Sequence, residues 1–527
     1  MSVLPGAPVE MVRLCPGRPD APADLTVTDL SLDSRTVERD GLFLACSGRR
    51  THGLATLETA LARGVRAVLW EPAPGVQPPA ARAGVWMAPM NGLSQQASAI
   101  ADRFFGEPSA ALSITGITGT NGKTTVAWLL AQALDALRSS PGHAGGCMYI
   151  GTLGVGTPPD RVIAGEYTTA DAVTLQRQLA TARAAGASAV AMEVSSHALD
   201  QHRAAAVRFR SAVFTNLTRD HLDYHGTFEA YGEAKARLFD MPGLGDRVFN
   251  VDDGFGARLA KSFAGRGRSW LACRTAAGRA AAAGCLALDP GAKLLAATAV
   301  RRSARGLAFE IEVPAGTDRA SPRVIEAPLV GDFNIDNLLS VFAALLALDV
   351  PPTAALEALA RVTAPPGRMQ VIGAEGQPLV VVDYAHTPDA LAKALAAARL
   401  HCRGRLIVVF GCGGDRDRGK RPQMAAIAAD LADGIVVTDD NPRTESPAQI
   451  AAQIVAGLPT GRHAEIIHDR AEAICTALAS AGADDVVLVA GKGHEDYQII
   501  GAERRPFDDA QQVRVALGLA PSAMGQG

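Results

Sequence analysis

Ten consecutive residues constrain this chain more than any others: Gly116-Ile117-Thr118-Gly119-Thr120-Asn121-Gly122-Lys123-Thr124-Thr125. A β-branched run (112–115) leads in. An apolar run with helical spacing leads out through Val126, Leu129, Leu130, Ala133, Leu134 and Leu137. Strand, glycine loop, helix is the layout in which loop and helix N–H groups wrap a polyphosphate. In it Lys123 reaches the β and γ phosphates and the Thr124 hydroxyl meets Mg²⁺. The glycines are needed because a Cβ would hold the backbone off the phosphate oxygens. Ile117 stands where the general P-loop pattern has Gly, so the match is the shorter Gly119-x-x-Gly122-Lys123-Thr124. The alternative is a chance glycine turn before a helix.

At 527 residues the chain exceeds one hydrophobic core, and two to four domains are expected. A net charge of −3 gives no general attraction to nucleic acid or to an anionic membrane. The eight cysteines are scattered without a Cys-x-x-Cys pair, which argues against zinc ribbons and disulfide frameworks and for a reducing compartment. The start, Met-Ser-Val-Leu-Pro-Gly, lacks a basic region followed by an apolar core, so no signal peptide is read. The longest apolar stretch, 338–348 interrupted by Ser340, is too short to span a bilayer. The expected address is the cytoplasm.

Three units follow in order. Residues 1–109 read as a small α/β unit, with a strand-like start at 30–35, a buried strand at 41–46, a helix at 55–63 and a strand at 67–70. Its Asp33-Ser34-Arg35 triplet suits a ligand or a surface turn equally. In residues 110–364, strands at 188–194 and 211–217 end in polar strings, and parallel sheets bind ligands at such ends. Glu193 and His221 could therefore ligate Mg²⁺ beside the Lys123 loop, although a histidine is an unusual ligand for so hard a cation. The alternative for His221 is a hydrogen-bonded histidine at a strand end. A helix at 227–239 carries Phe228, Tyr231, Leu238 and Phe239 on one face with Lys235 among them. That lysine either snorkels to water or is an active-site amine, altered or shifted in pKa. Residues 240–330 read as a sheet-rich extension. Asn334 and Asn337, opening an apolar helix at 338–345, suit a purine edge or a helix cap. In residues 365–527, apolar runs at 379–382, 406–410, 435–438 and 486–490 alternate with helical stretches, giving a second parallel α/β sheet. Each run ends in a polar string, which points to a binding cleft. Gly411-x-Gly413-Gly414 is followed by charged residues, not by an apolar helix start, so it is not read as a dinucleotide loop.

Six strings in order, at 118–125, 192–197, 216–226, 383–390, 411–422 and 490–498, resemble those of the Mur ligase family, ATP-dependent amide-forming enzymes of peptidoglycan precursor synthesis. The likeness covers nearly the whole chain. It implies an α/β fold of three domains: a small N-terminal α/β UDP-binding domain (1–109), a central P-loop-type parallel-sheet ATPase domain (110–364) and a C-terminal Rossmann-like α/β domain for the amino acid (365–527). The implied cofactors are ATP and Mg²⁺. The implied partners are UDP-N-acetylmuramoyl-L-alanyl-D-glutamate and meso-diaminopimelate, met by a monomer that touches neither nucleic acid nor membrane.

By the same resemblance, Leu32 and Ser34 lie near the uracil. Thr168, Thr169, Ser195, Gln201 and Arg203 meet the substrate's phosphates, sugar and peptide arm. Gly119, Thr120, Asn121, Gly122, Lys123, Thr124 and Thr125 hold the ATP phosphates, with Thr124 on Mg²⁺, and Asn334 and Asn337 lie on the adenine side. Glu193 and His221 hold a second Mg²⁺. Lys235 falls where the family carries a carbamylated lysine, an anion able to position Mg²⁺. Asp440-Asn441-Pro442-Arg443 matches the form of its motif associated with meso-diaminopimelate. Guanidinium groups grip carboxylates with two hydrogen bonds, which suits Arg443 and Arg416 to the second carboxylate. Glu495 and the Gly491 carbonyl then take the ammonium, and His386 is the candidate base or positioning group for the attacking amine. The departures are Tyr167 in place of Asn, Ala170 in place of Pro and His52 in place of Asp. The rivals are the same chemistry with L-lysine or another acceptor, such as a folylpolyglutamate synthetase, and a nucleotide-binding relative without chemistry.

Overall fold

The computed structural model describes residues 7–18, 20–48, 51–138, 145–159, 161–165, 167–303, 306–312 and 323–520. The chain divides into two compact units. The first comprises Met1–Pro158, Val162–Leu271 and Ala280–Ala292, and the second Pro159–Arg161, Ala272–Arg279 and Lys293–Gly527.

In the first unit, four short parallel strands, Leu30–Ser31, Leu42–Ala45, Ala67–Trp70 and Trp86–Pro89, pair in sequence order. Every residue of Leu42–Ala45 is buried because both sheet faces are covered. Leu42 and Leu44 pack with Leu93 and Ile100 on one side, while Phe43 and Ala45 pack with Leu57 and Ala60 on the other. The expected helix at 55–63 opens as a 3₁₀ turn, Gly53–Thr56, before the α-helix Leu57–Ala62. His52 sets that turn: its Nδ1 accepts the Leu54 N–H at 3.1 Å, as an Asp would.

The helix Ala172–Ala184 joins this sheet to the next. Its Asp171 cap accepts the N–H groups of Val173 and Thr174, and Ala172 and Val173 sit in the first sheet's core. Arg177 Nη2 donates to Asp29 Oδ1 at 2.9 Å and to the Leu30 carbonyl at 2.8 Å.

The second sheet is built around Ser113–Thr118. Ala189–Glu193 and Phe209–Phe214 flank it in parallel, and Cys147–Gly151 and Asp246–Asn250 extend it outward, also in parallel. The glycine loop therefore leaves a central strand, where crevices at the carboxyl ends bind ligands.

The second unit carries an antiparallel group, Lys293–Ser303, Gly306–Glu312 and Arg323–Ala327, and the largely buried helix Phe333–Ala347. The 240–330 region is less purely sheet than expected, since Gly254–Ser262 and Ala276–Leu286 are helices. The Asp253 cap and the alanine run explain both. The last sheet orders Gln370–Ile372, Leu379–Asp383, Val486–Ala490, Leu406–Phe410, Gly434–Val437 and Glu465–Ile466, all parallel but the first. A hairpin, Tyr497–Ile500 with Glu503–Pro506, was not expected from the sequence. The eight cysteines are free thiols. Among the described residues no helix is long and apolar enough to cross a membrane.

Candidate active site

The loop after Ser113–Thr118 is tied down from the neighbouring strand end. Gly119 has φ +151, and a Cβ on it would lie 1.9 Å from Thr215 Oγ1. Thr215 Oγ1 donates to the Asn121 carbonyl at 2.6 Å, and Asn216 brackets the same peptide, accepting from Asn121 N at 3.0 Å and donating to its carbonyl at 3.1 Å. Gly122, at φ +84, releases the helix Lys123–Arg138, whose first turn carries Thr124 and the half-buried Thr125. Thr120 Oγ1 shares a hydrogen bond with the Tyr231 hydroxyl at 3.1 Å.

Two lysines meet at this loop. Lys123 Nζ donates to the carbonyls of Gly119 and Thr120, both at 3.0 Å. Lys235, 1% exposed, donates to the same Gly119 carbonyl at 2.8 Å from the helix Phe228–Ala236. The snorkelling alternative is thereby overturned: Nζ points inward, 4.4 Å from the centre of the Tyr231 ring. Burial first, and Lys123 second, push the Lys235 amine well below the ordinary lysine range. Phe228, expected on the buried stripe, is instead 37% exposed at the helix start.

Glu193 is fully buried yet saturated with donors. Thr124 Oγ1 lies 3.0 Å from its Oε2, and Thr152 Oγ1 lies 3.2 Å from the same oxygen. Its Oε1 accepts the Tyr149 hydroxyl at 2.6 Å and the Thr152 N–H at 2.9 Å. His221 sits at φ +52 before the short helix Leu222–His225, with Nε2 3.5 Å from Asp220 Oδ2. Its ring meets His197 edge-on at 4.8 Å, and His197 lies 4.1 Å from Tyr224 and 5.5 Å from His225 between ring centres. Burial, then the neighbouring His221 and His225, push His197 down to about 4. His197, His225, Tyr149 and Thr152 received no role from the sequence. Nothing in one dimension ties Tyr149 to a carboxylate 44 positions away. Among the described residues no group of three or more His, Cys, Asp or Glu side chains is arranged to hold a metal ion.

The residues expected on the peptide arm form one network. Thr168 shares a hydrogen bond with Thr152 at 3.0 Å, and Thr169 Oγ1 donates to the Glu193 carbonyl at 2.9 Å and accepts from Ser195 N at 3.1 Å. Arg203 donates to the Thr169 carbonyl at 2.8 Å and to Gln201 Oε1 at 2.6 and 3.0 Å. Ser195 also caps Ser196–Asp200. Ser34 is buried and Leu32 half-buried at the end of Leu30–Ser31, beside the exposed Asp33–Arg35 ion pair. Tyr167, in the Asn position, is 63% exposed.

In the second unit, Asn334 and Asn337 are buried and bonded together at 2.8 Å, with Asn334 Nδ2 donating to the Val330 carbonyl. Neither caps the helix; Asp332 stands at its N-cap. The acceptor strings converge around the last sheet. Asn441 Nδ2 donates to Glu495 Oε2 at 2.9 Å. Arg443, at φ +52, donates to the Gly414 carbonyl at 2.9 Å, and its peptide pairs with Ile499 and Gly501 of the unexpected hairpin. Gly414 is required there, since a Cβ would lie 1.8 Å from the Pro442 carbonyl. Asp440 is buried, and a Cβ on Gly491 would lie 2.7 Å from its Oδ2. Arg416 is exposed and donates only to the Asp415 carbonyl at 3.3 Å among the described residues. The His386 ring packs 4.6 Å from Tyr384, which lies 5.1 Å from His494. Burial and then Arg368 push His494 down to about 4.

Residues 117–345 match the family of Mur ligase middle domains, and residues 367–493 match the Mur ligase glutamate ligase domain. The curated UDP-N-acetylmuramoyl-L-alanyl-D-glutamate–2,6-diaminopimelate ligase of Ectopseudomonas mendocina (strain ymp) is 48% identical over 499 residues, covering 95% of this chain and 96% of the relative. That of Xanthomonas campestris pv. campestris (strain 8004) is 47% identical over 497 residues, covering 94% of each. A solved structure of a UDP-N-acetylmuramoyl-L-alanyl-D-glutamate–2,6-diaminopimelate ligase is 36% identical with a TM-score of 0.68, covering 97% of this chain and 99% of its own. A D-alanyl-D-alanyl-adding ligase from Acinetobacter baumannii, at 17% identity and a TM-score of 0.60 over 93% of this chain and 96% of its own, shares the fold. Matched by both family models and 48% identical to a curated relative over 95% of its length, the chain belongs to the Mur ligase family.

Proposed function

We propose that this chain is an ATP-dependent amide ligase that joins meso-diaminopimelate to the D-glutamyl carboxylate of UDP-N-acetylmuramoyl-L-alanyl-D-glutamate. The observation that carries the reading is the acceptor cluster: Asn441 bonded to Glu495 at 2.9 Å, with Arg443 anchored on Gly414. A cleft that offers amide N–H and guanidinium groups beside a carboxylate suits an amino acid with a second ammonium–carboxylate centre. The near full-length likeness to curated ligases of that name supports it.

The substrate carboxylate takes the γ-phosphoryl group of ATP. The acyl phosphate is attacked by the diaminopimelate amine, and the tetrahedral intermediate collapses to amide and inorganic phosphate. Lys123, released from the loop carbonyls when phosphates enter, meets the negative charge on the transferred group. Thr169, Ser195, Gln201 and Arg203 hold the peptide arm so that its carboxylate faces the loop. The attacking amine loses a proton, and His386, beside Tyr384, is the proposed group to receive or orient it. Asn334 and Asn337 face the adenine, and Leu32 and Ser34 the uracil.

The donor set fits Mg²⁺: the Thr124 hydroxyl would hold one ion, and the Glu193 carboxylate, 3.0 Å from it, would hold a second with His221, both oxygens being hard ligands. When bound, the two ions would screen phosphate charge during transfer. Lys235 fits carbamylation, because burial pushes its amine well below the ordinary lysine range and the neutral amine is the form that adds carbon dioxide, releasing a proton. The proposed enzyme is a cytoplasmic monomer whose partners are small molecules, with no nucleic acid and no membrane among them.

The test is phosphate release from ATP, Mg²⁺ and UDP-N-acetylmuramoyl-L-alanyl-D-glutamate, with either meso-diaminopimelate or L-lysine added. Release only with diaminopimelate, and a product heavier by that residue, is expected. Release with lysine instead keeps the ligase and overturns the acceptor. Release with neither overturns the reading.

A further inference from the structure

Lys492 belongs to the acceptor cleft but has no part in the mechanism above. Its side chain is 0% exposed, with Nζ 3.2 Å from Asn441 Oδ1, 3.4 Å from Glu495 Oε2 and 5.5 Å from the Tyr497 ring centre. Lysine is almost never fully buried without a partner, and here it has two.

The hydrogen-bond chemistry fixes more than the lysine. Asn441 Oδ1 also accepts the Ile499 N–H at 2.9 Å, so it faces two groups that can only donate. Its Nδ2 faces Glu495 Oε2, which can only accept while ionised. Turning the amide over would set N–H groups against donors and an oxygen against a carboxylate, losing all three contacts. The Asn441 oxygen is therefore taken up within the protein, and what its side chain has left to offer a ligand is an N–H. Glu495 Oε1 accepts no hydrogen bond among the described residues and is left as an acceptor.

We propose that Lys492 is a positioning residue for acceptor specificity: by bonding Asn441 Oδ1 and Glu495 Oε2 together it locks one as a donor and the other as an acceptor. The cleft then takes an amino acid whose far end carries both a carboxylate and an ammonium. Without Lys492 one of the three contacts that hold the amide orientation is gone, and nothing ties the amide oxygen to the carboxylate. The Asn441–Glu495 pair is then held less firmly, so it grips the far carboxylate and ammonium less well and discriminates less against an amino acid lacking the carboxylate. The proposal rests on the ligase reading above.

The experiment is steady-state kinetics of the full chain with each substrate varied in turn. K492M keeps the length and removes the charge and the donors. It is expected to raise KM for meso-diaminopimelate about tenfold or more, with kcat changed less than about threefold. KM for ATP and for the UDP substrate stay at native values, and discrimination against L-lysine falls. K492R keeps charge and donors and restores the native preference. If K492M does not fold, K492Q carries the test, being too short to reach both partners. A native diaminopimelate KM in K492M or K492Q overturns the proposal. So does a parallel rise in all three KM values with a lowered melting temperature, which marks a merely structural lysine. Native protein that releases no phosphate with diaminopimelate overturns the ligase reading, and the proposal with it.

Discussion

Lys123 and Lys235 converge on one backbone oxygen, that of Gly119, and the chemistry of the loop follows from what displaces them. K123M is expected to lower ATP-dependent phosphate release by about 10²–10³-fold, because a preorganised cation at the transferred group is lost. A colorimetric phosphate assay beside a melting curve checks this, and near-native release would remove Lys123 from the chemistry. G119A tests the backbone instead. At φ +151, with Thr215 Oγ1 1.9 Å from the new Cβ, it should cost about 1–3 kcal/mol in denaturant unfolding and abolish nucleotide binding. His494 predicts a pH effect. Its folded pKa, about 4, is depressed below the ordinary histidine value, so between those pH values the unfolded chain binds more protons. Its contribution is therefore complete above the unfolded pKa and is lost as pH falls through the folded one, at a slope of at most about 1.4 kcal/mol per pH unit. The H494N variant should show a shallower decline in stability from pH 6.5 to pH 4.5, and an identical decline would count against the burial effect.

Elements differ in how openly the sequence announces them. The strands under the glycine loop and the last sheet are apolar runs closed by polar strings, and local pattern suffices to see them. Trp86–Pro89 and the hairpin at Tyr497–Ile500 are short and half-exposed, so they carry no such pattern. The same divide runs through the site. Lys123 and Thr124 announce themselves through spacing, whereas the bond from Asn441 to Glu495 spans 54 positions and appears only once the strands are laid side by side. Lys235 lies between these cases: its place on an apolar stripe was visible, and its inward direction was not. The helix Asp509–Ala516 is held by an ion pair no pattern reveals. Arg470 and Asp509, both fully buried, bond at 2.7 Å, and Arg470 also reaches the Ala490 carbonyl at the strand end before Gly491. R470M strands a buried carboxylate and should cost about 3–5 kcal/mol in chemical denaturation. A loss under about 1 kcal/mol would mean the pair is dispensable.

Across the molecule, the glycine loop and the residues proposed for the uridine nucleotide belong to one compact unit, while those proposed for the acceptor amino acid belong to the other. Within the first, the helix Ala172–Ala184 bears on both sites. At its start, Asp171 follows Thr168 and Thr169, which reach Thr152 and Glu193. One side of it, through Arg177, grips Asp29 and Leu30, two residues before Leu32. The helix is thus a ruler. On the proposed reading, a substrate that spans these two places is gauged for length before any chemistry begins, and a molecule of the wrong length lays its carboxylate short of the loop or past it. UDP-N-acetylmuramoyl-L-alanine, one residue short, should therefore compete for the nucleotide pocket in calorimetry while drawing no phosphate from ATP. Equal turnover of the shortened molecule would show that the gauge is slack.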